Sequence, residues 1–331
     1  MLGGRNLKFF KNKGRTPEKA AKLDGVGIKE FAASLKPLLN KREYLTTMWP
    51  LAGYFIIWLA LTGMGLYFAY SLLASLSMSI MMIMYGMMTI TSLLFAVGEF
   101  LLLLVAVVVI FFLFYCLQVG VQFGYQDRIQ NSAKVLSASS IWNRFKHLRK
   151  NQLLRLVAYS ALFIFLWQLP LRILAGFFAG NAIVVNTLDV LNEIIAIWKG
   201  LQYSQALYLY RAKQPAFLGQ SMRHALTVSK RYMAGFKFNY FLISLLFAGV
   251  PSLVWGGLTG GLIFYGVYTA TNPCIWIGAV LLVLGFAAMM PYLTMIAPLY
   301  FEKTRTKVQV DALYTDVFTP VAELTGEAYQ D

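Results

Sequence analysis

Asp189 and Glu193 stand four residues apart inside an apolar stretch, NAIVVNTLDVLNEIIAIWKGLQY. On a helix that spacing puts both carboxylates on one face, where an acid and a base could act together. Lys199 follows six residues after Glu193 and therefore points to another side. Arg172 lies upstream in LWQLPLRILAG, near the far end of the preceding apolar run. Charge inside an apolar run is costly and marks either function or pairing. Arg172, Asp189, Glu193 and Lys199 therefore carry two readings. In one they surround a polar cavity that admits a solute or a lipid head group. In the other, Arg172 pairs with Asp189 or Glu193 across helices and Lys199 snorkels or finds a partner on another helix. Gln168, Asn186, Asn192, Gln202 and Gln205 extend the same polar set.

Enzymatic chemistry finds little else to use. The chain has no HExxH pair, no GxSxG elbow and no Walker-type phosphate loop. Its two histidines, His147 and His224, both sit in basic segments, and His147 reads as a solvated loop residue. Cys116 and Cys274 are too far apart in the expected topology to pair, and no CxxC metal pattern exists. Met78, Met81, Met82, Met84, Met87 and Met88 crowd one segment. Thioether sulfur is a soft Cu(I) ligand. With no His or Cys beside them, apolar filler is the plainer reading. The sequence thus predicts a non-enzymatic protein with no cofactor and no metal.

The elements that position these residues follow from composition. The chain is 59% hydrophobic and 13% charged, where soluble domains carry about 25% charge; its mean hydropathy is +0.62. The net charge of +15 invites a nucleic-acid reading, but 27 of the 29 Lys and Arg fall in four segments, 1–47, 123–155, 211–237 and 302–331. Positive residues collect on the cytoplasmic side of membrane proteins, so the charge reports orientation and nucleic acid is excluded as a partner. About 20 apolar residues cross the hydrocarbon. Basic flanks on both sides of 48–122 require an even number of crossings there. The reading is an all-α polytopic transmembrane bundle of six spans, near 50–73, 99–121, 156–179, 186–209, 238–257 and 276–300, with cytoplasmic N- and C-termini. Residues 1–47 form a basic arm, 48–307 the membrane domain and 308–331 an acidic tail able to fold back on the basic surface. An outer re-entrant or interfacial piece is expected over 74–98, with Glu99 at the mouth of the second span, and an irregular outer loop over GGLTGGLIFYGVYTATNP.

Three basic segments show helical periodicity. Ile28, Phe31, Leu35, Leu38 and Leu39 share one face, which Pro37 should kink or divide. Trp142, Phe145 and Leu148 form a short stripe among Arg144, Lys146, Arg149 and Lys150. In 203–238, Pro215 suits a first helical turn, and Leu218, Met222, Ala225, Leu226 and Met233 recur at helical spacing. Arg223, Lys230 and Lys237 repeat every seven residues, with His224 and Arg231 beside them. Such a helix can lie on an anionic membrane or pack on its own membrane helices. Arg223, Lys230, Arg231 and Lys237 are therefore the candidate surface for lipid or partner.

The run YSQALYLYRAKQPAFLGQSMRHALTVSKRYMAGFKFNYFLISLLF resembles the signature of an uncharacterised six-helix membrane family of Gram-positive bacteria, domain of unknown function nine-seven-five. Tyr203, Ser204, Ala206 and Pro215 match its first part, and Ser229, Met233, Gly235 and Lys237 its second. Phe236 stands where the family has His, and Lys213-Gln214 where it has an acidic-Asn pair. Pro291-Tyr292, Tyr300-Phe301 and the Phe145-Lys146 loop also match, so the resemblance covers roughly 100–305. It is distantly similar to the membrane domain of some glycerophosphodiester phosphodiesterases. The resemblance implies six spans and a bacterial cytoplasmic membrane, and implies no activity. Together these readings predict a multi-pass accessory or scaffold protein. It would contact the bilayer, anionic lipid head groups or a membrane protein partner through its basic helices. The alternative is a transporter or permease for a small solute or lipid, using the polar groups of spans three and four.

Overall fold

The computed structural model describes residues 25–84 and 90–318; within them, the side chains of residues 69, 71–84, 90, 92, 93, 96 and 99 are not described. The described chain is helical, with no strand among the described residues. Its elements are α1 (Ile28–Leu35), α2 (Lys41–Met84), α3 (Ile90–Gln130), α4 (Ala138–His147), α5 (Lys150–Phe177), α6 (Ala182–Tyr203), α7 (Ala206–Ala212), α8 (Arg223–Tyr232), α9 (Lys237–Ser244), α10 (Val250–Tyr268) and α11 (Asn272–Arg305). A π-helical turn, Leu245–Gly249, joins α9 to α10 just before Pro251. A π turn frees carbonyls that a proline cannot pair, so these pieces form one continuous rod.

Among the described residues, five helices are long and apolar enough to cross a membrane: Lys41–Phe68, Phe100–Gln130, Lys150–Phe177, Lys237–Tyr268 and Asn272–Arg305. Their outward faces carry large apolar side chains, Leu66, Leu102, Phe177, Leu253 and Phe264 among them. Water would penalise that surface and hydrocarbon accepts it. This is a multi-pass membrane protein. Asp189, Glu193 and Lys199 set α6 apart from those five, although its 22 residues would span the hydrocarbon by length.

Two packed groups result. The α2–α3 and α10–α11 hairpins join along α11. The α5–α6 hairpin packs on itself and meets the rest chiefly at one end, through α3, α8 and α9. That end, here termed the basic end, gathers α1, α4, α7, α8 and the chain after α11.

Both expected outer segments are helical where described. The segment over 74–98 is helical where described, α2 running on to Met84 and α3 starting at Ile90; residues 85–89 and the side chains of Met78, Met81, Met82, Met84 and Glu99 lie outside the described set. The glycine-rich loop is a correction: α10 runs through it to Tyr268, and only Thr269–Thr271 connects it to α11. The glycines serve close helix packing rather than a turn. A Cβ at Gly278 would fall 3.1 Å from the Ile263 backbone nitrogen and the Thr259 carbonyl oxygen, and one at Gly285 would collide with the Trp255 ring. Pro37 divides the first amphipathic segment as expected: α1 ends at Leu35 and a 3-10 turn covers Lys36–Leu38. Phe31, Leu35 and Leu38 are buried, while Ile28 and Leu39 of the same expected face are exposed.

Candidate functional site

The basic end contains two arrangements of charge. The first centres on the last turns of α3. Asp127 accepts from Arg144 at 2.9 Å and from Arg211 at 2.7 Å. Arg211 also donates to Gln126 Oε1 at 2.7 Å and to the Phe123 carbonyl at 3.0 Å, with its guanidinium over the Phe123 ring. Glu302 of α11 accepts from Gln126 and Gln130 at 2.6 and 2.9 Å. The buried Glu43 of α2 lies 3.4 Å from Arg128. One helix end thereby ties α2, α4, α7 and α11 together. Apart from the bonds of Arg211 to Gln126 and Phe123, each long-range tie sets a cation or an amide against a carboxylate, the stronger kind of hydrogen bond.

The second arrangement lies where α6, α8 and α9 meet. The helix expected from Leu218 starts at Arg223. Pro215 belongs instead to a 3-10 turn, Gln214–Phe217, and Leu218 is exposed. The apolar face of α8, with Met222, Ala225, Leu226, Val228, Tyr232 and Met233, is buried against the protein itself. Ser229 donates to the Gln202 carbonyl at 2.7 Å and Tyr232 shares a 2.5 Å hydrogen bond with Thr304. The apolar side of this helix thus packs on its own membrane helices and leaves the basic side outward.

The basic residues of α8 have separate fates. Arg231 donates to the carbonyls of Leu313 and Thr315 at 2.9 and 3.0 Å. Arg223 sits over Phe163 at 5.6 Å. Lys230 is exposed. Lys237, the first residue of α9, lies 4.2 Å from the Trp198 ring centre. With the Gln202 amide turned so that its oxygen faces the donors, that oxygen accepts from Lys237 Nζ at 2.8 Å and Trp198 Nε1 at 3.0 Å. None of Arg223, Lys230, Arg231 or Lys237 has a carboxylate partner among the described residues.

The chain after α11 folds back on this end, largely through aromatic side chains. Tyr314 donates to the Leu209 carbonyl at 2.7 Å, and Phe318 packs edge-on against Phe217 and near His224. Of the tail's acids, Asp311 meets Lys213 at 2.7 Å; residues 319–331 lie outside the described set. Burial, with the Arg223 charge next to it, holds His224 below the usual histidine range.

The structure does not bring the four intramembrane charges together. Arg172 reaches back one turn to Gln168 at 3.5 Å. Asp189 and Glu193 are exposed on the flank of α6, and among the described residues neither pairs with Arg172. The face of α6 turned inward carries Leu188, Asn192, Lys199 and Gln202 instead. Asn192 Oδ1 is buried without a hydrogen-bond partner. Lys199 is 9% exposed, its ammonium 3.6 Å from the centre of the Trp167 ring. At about 1.5 Å rise per residue, it lies roughly 26 Å from the start of α6, in the last turns of that helix, and so belongs to the basic corner.

Two hollows flank this corner. A groove of about 530 Å³ runs between α6 and α9, walled by Ile194, Ile197, Leu201, Phe238 and Phe241 with Trp198 and Lys237 at its head. A second space of about 400 Å³ opens between α3, α5, α7 and α11, with Tyr115, Gln122, Ser160, Tyr203, Ser204 and Tyr208 on its walls. Trp167 and Trp198 were missed by reading charges alone. Their signal was adjacency: Trp198 precedes Lys199, and Trp167 precedes Gln168.

No family model, curated protein or solved structure matches the chain. Ser229, Met233, Phe236, Tyr300 and Phe301 are all fully buried.

Proposed function

We propose that this is a non-enzymatic accessory protein of a bacterial cytoplasmic membrane that engages anionic lipid through its basic end. The observation that carries the reading is the corner of α6, α8 and α9, where cations without carboxylates border an apolar wall. Each Lys or Arg near an anionic surface contributes about 1 kcal/mol. In this reading α6 is a sixth span, and both termini share the basic, cytoplasmic side. Membership of the uncharacterised six-helix family is part of the same proposal and rests on the sequence resemblance alone.

Native mass spectrometry of gently extracted protein tests this. The wild type should retain anionic lipid, and a variant with Arg223, Lys230, Arg231 and Lys237 neutralised should lose it. Equal lipid in both would refute the reading. A second reading, passage of a small polar solute, draws on the uncharged hydroxyls and amides of the 400 Å³ space beside α5. Solute flux in liposomes, abolished by Tyr203→Phe with Gln122→Leu, would favour it.

A further inference from the structure

The groove between α6 and α9 combines three features that a single phospholipid needs. Its walls are apolar and open sideways: Ile197 is 51% and Phe238 76% exposed on the surface that faces hydrocarbon. Its volume of about 530 Å³ lies within the range of ligand sites, about 300–1,000 Å³. Its head lies at the first residue of α9, where the candidate span Lys237–Tyr268 begins, and beside the last turns of α6.

The charge at that head is organised. Lys237 is held between the Trp198 ring and the Gln202 oxygen. An ammonium has three donors, so at least one N–H of Lys237 is left for an incoming acceptor. Lys237 lines the groove itself; Lys199 follows Trp198 on α6 and rests on Trp167, and the exposed Lys230 of α8 comes seven residues before Lys237. Among the described residues no carboxylate pairs with any of the three. Like charges held together without a counterion are stabilised by a bound anion. Aromatic faces can hold ammonium groups without neutralising them.

We infer that this groove is a specific site for one anionic phospholipid, its phosphate on Lys237 with Lys199 and Lys230 behind it, and an acyl chain along Ile194, Ile197, Leu201 and Phe241. The site deepens the proposed lipid engagement and rests on it. A free anion would use the lysines alone, whereas a phospholipid needs the lysines and the apolar wall together.

Bilayers of phosphatidylcholine containing a minority of phosphatidylglycerol brominated on its acyl chains provide the probe. Bromine quenches indole fluorescence on contact, and Trp198→Phe identifies the Trp198 share of the signal. Wild type should show quenching of Trp198 by brominated phosphatidylglycerol above that by equally brominated phosphatidylcholine. Lys237→Gln should weaken that preference about fivefold, and Lys237→Arg should keep most of it. Phe238→Ala and Ile197→Phe, both at exposed positions, should weaken it without changing charge. Loss with Lys237→Gln but not with either wall variant would overturn the groove site while leaving diffuse lipid engagement intact. Relief of quenching by millimolar inorganic phosphate would also overturn it, in favour of a free-anion site. Equal quenching by both lipids in wild type would overturn the site and the proposed engagement together.

Discussion

Two parts of one basic surface handle charge in opposite ways. At the end of α3, Asp127 takes Arg144 and Arg211, and Glu302 takes Gln126 and Gln130. At the corner of α6, α8 and α9, Lys199 and Lys237 rest on Trp167 and Trp198, and among the described residues no carboxylate pairs with either. The first arrangement satisfies its charges internally and ties five helices into one end. The second keeps its charges available at the edge of an apolar groove. A count of positive residues cannot separate the two, because the difference lies in which cations have acids within reach. The α3 cluster is a clasp, and the corner is the surface we propose for a ligand.

The largest effect should come from breaking the clasp. Asp127→Ala leaves two half-buried guanidinium groups without their anion. The expected loss is about 2–3 kcal/mol, read as a lower melting midpoint in detergent. A midpoint unchanged from wild type would remove the clasp from the account. Gly285→Ala should cost about 1–3 kcal/mol by driving α10 and α11 apart around Trp255. Thermal unfolding monitored by Trp fluorescence measures it.

The contrast between clasp and corner was only partly legible in the sequence. The helices read clearly, since apolar runs of membrane length admit little else. The glycine-rich stretch misled because Gly marks turns in water and close contact between helices in lipid. The basic face of α8 was readable from its spacing. The burial of the opposite face against Thr304 and Gln202 was not, since those partners lie far along the chain. Arg172, Asp189, Glu193 and Lys199 allowed one site as one of two readings. The six-residue step already set Lys199 on another side from Glu193. The structure turns Asp189 and Glu193 outward and Lys199 inward to a tryptophan that a search for carboxylate partners passes over.

Smaller effects sharpen the comparison at its border, where the tail covers part of the basic end. Tyr314→Phe removes the hydrogen bond to the Leu209 carbonyl and should cost about 1 kcal/mol. The readout is earlier proteolytic cleavage after Lys307, with lipid retention unchanged. The smallest effect is pH-dependent. His224 has a folded pKa below its unfolded value of about 6.5, so the unfolded chain binds the proton more readily. Stability is then full above that value and declines as pH falls below it. Melting midpoints at pH 7.5 and 5.5 should differ less in His224→Gln than in wild type, and an equal difference would show that His224 has no part in it.

The most direct test measures melting midpoint and retained phosphatidylglycerol on the same preparations of wild type, Asp127→Asn and Lys237→Gln. The account predicts a crossed result. Asp127→Asn should lose stability and keep its lipid, while Lys237→Gln should keep stability and lose lipid about fivefold. If both variants lose both properties in parallel, clasp and corner are one structural unit, and the distinction drawn between them is wrong.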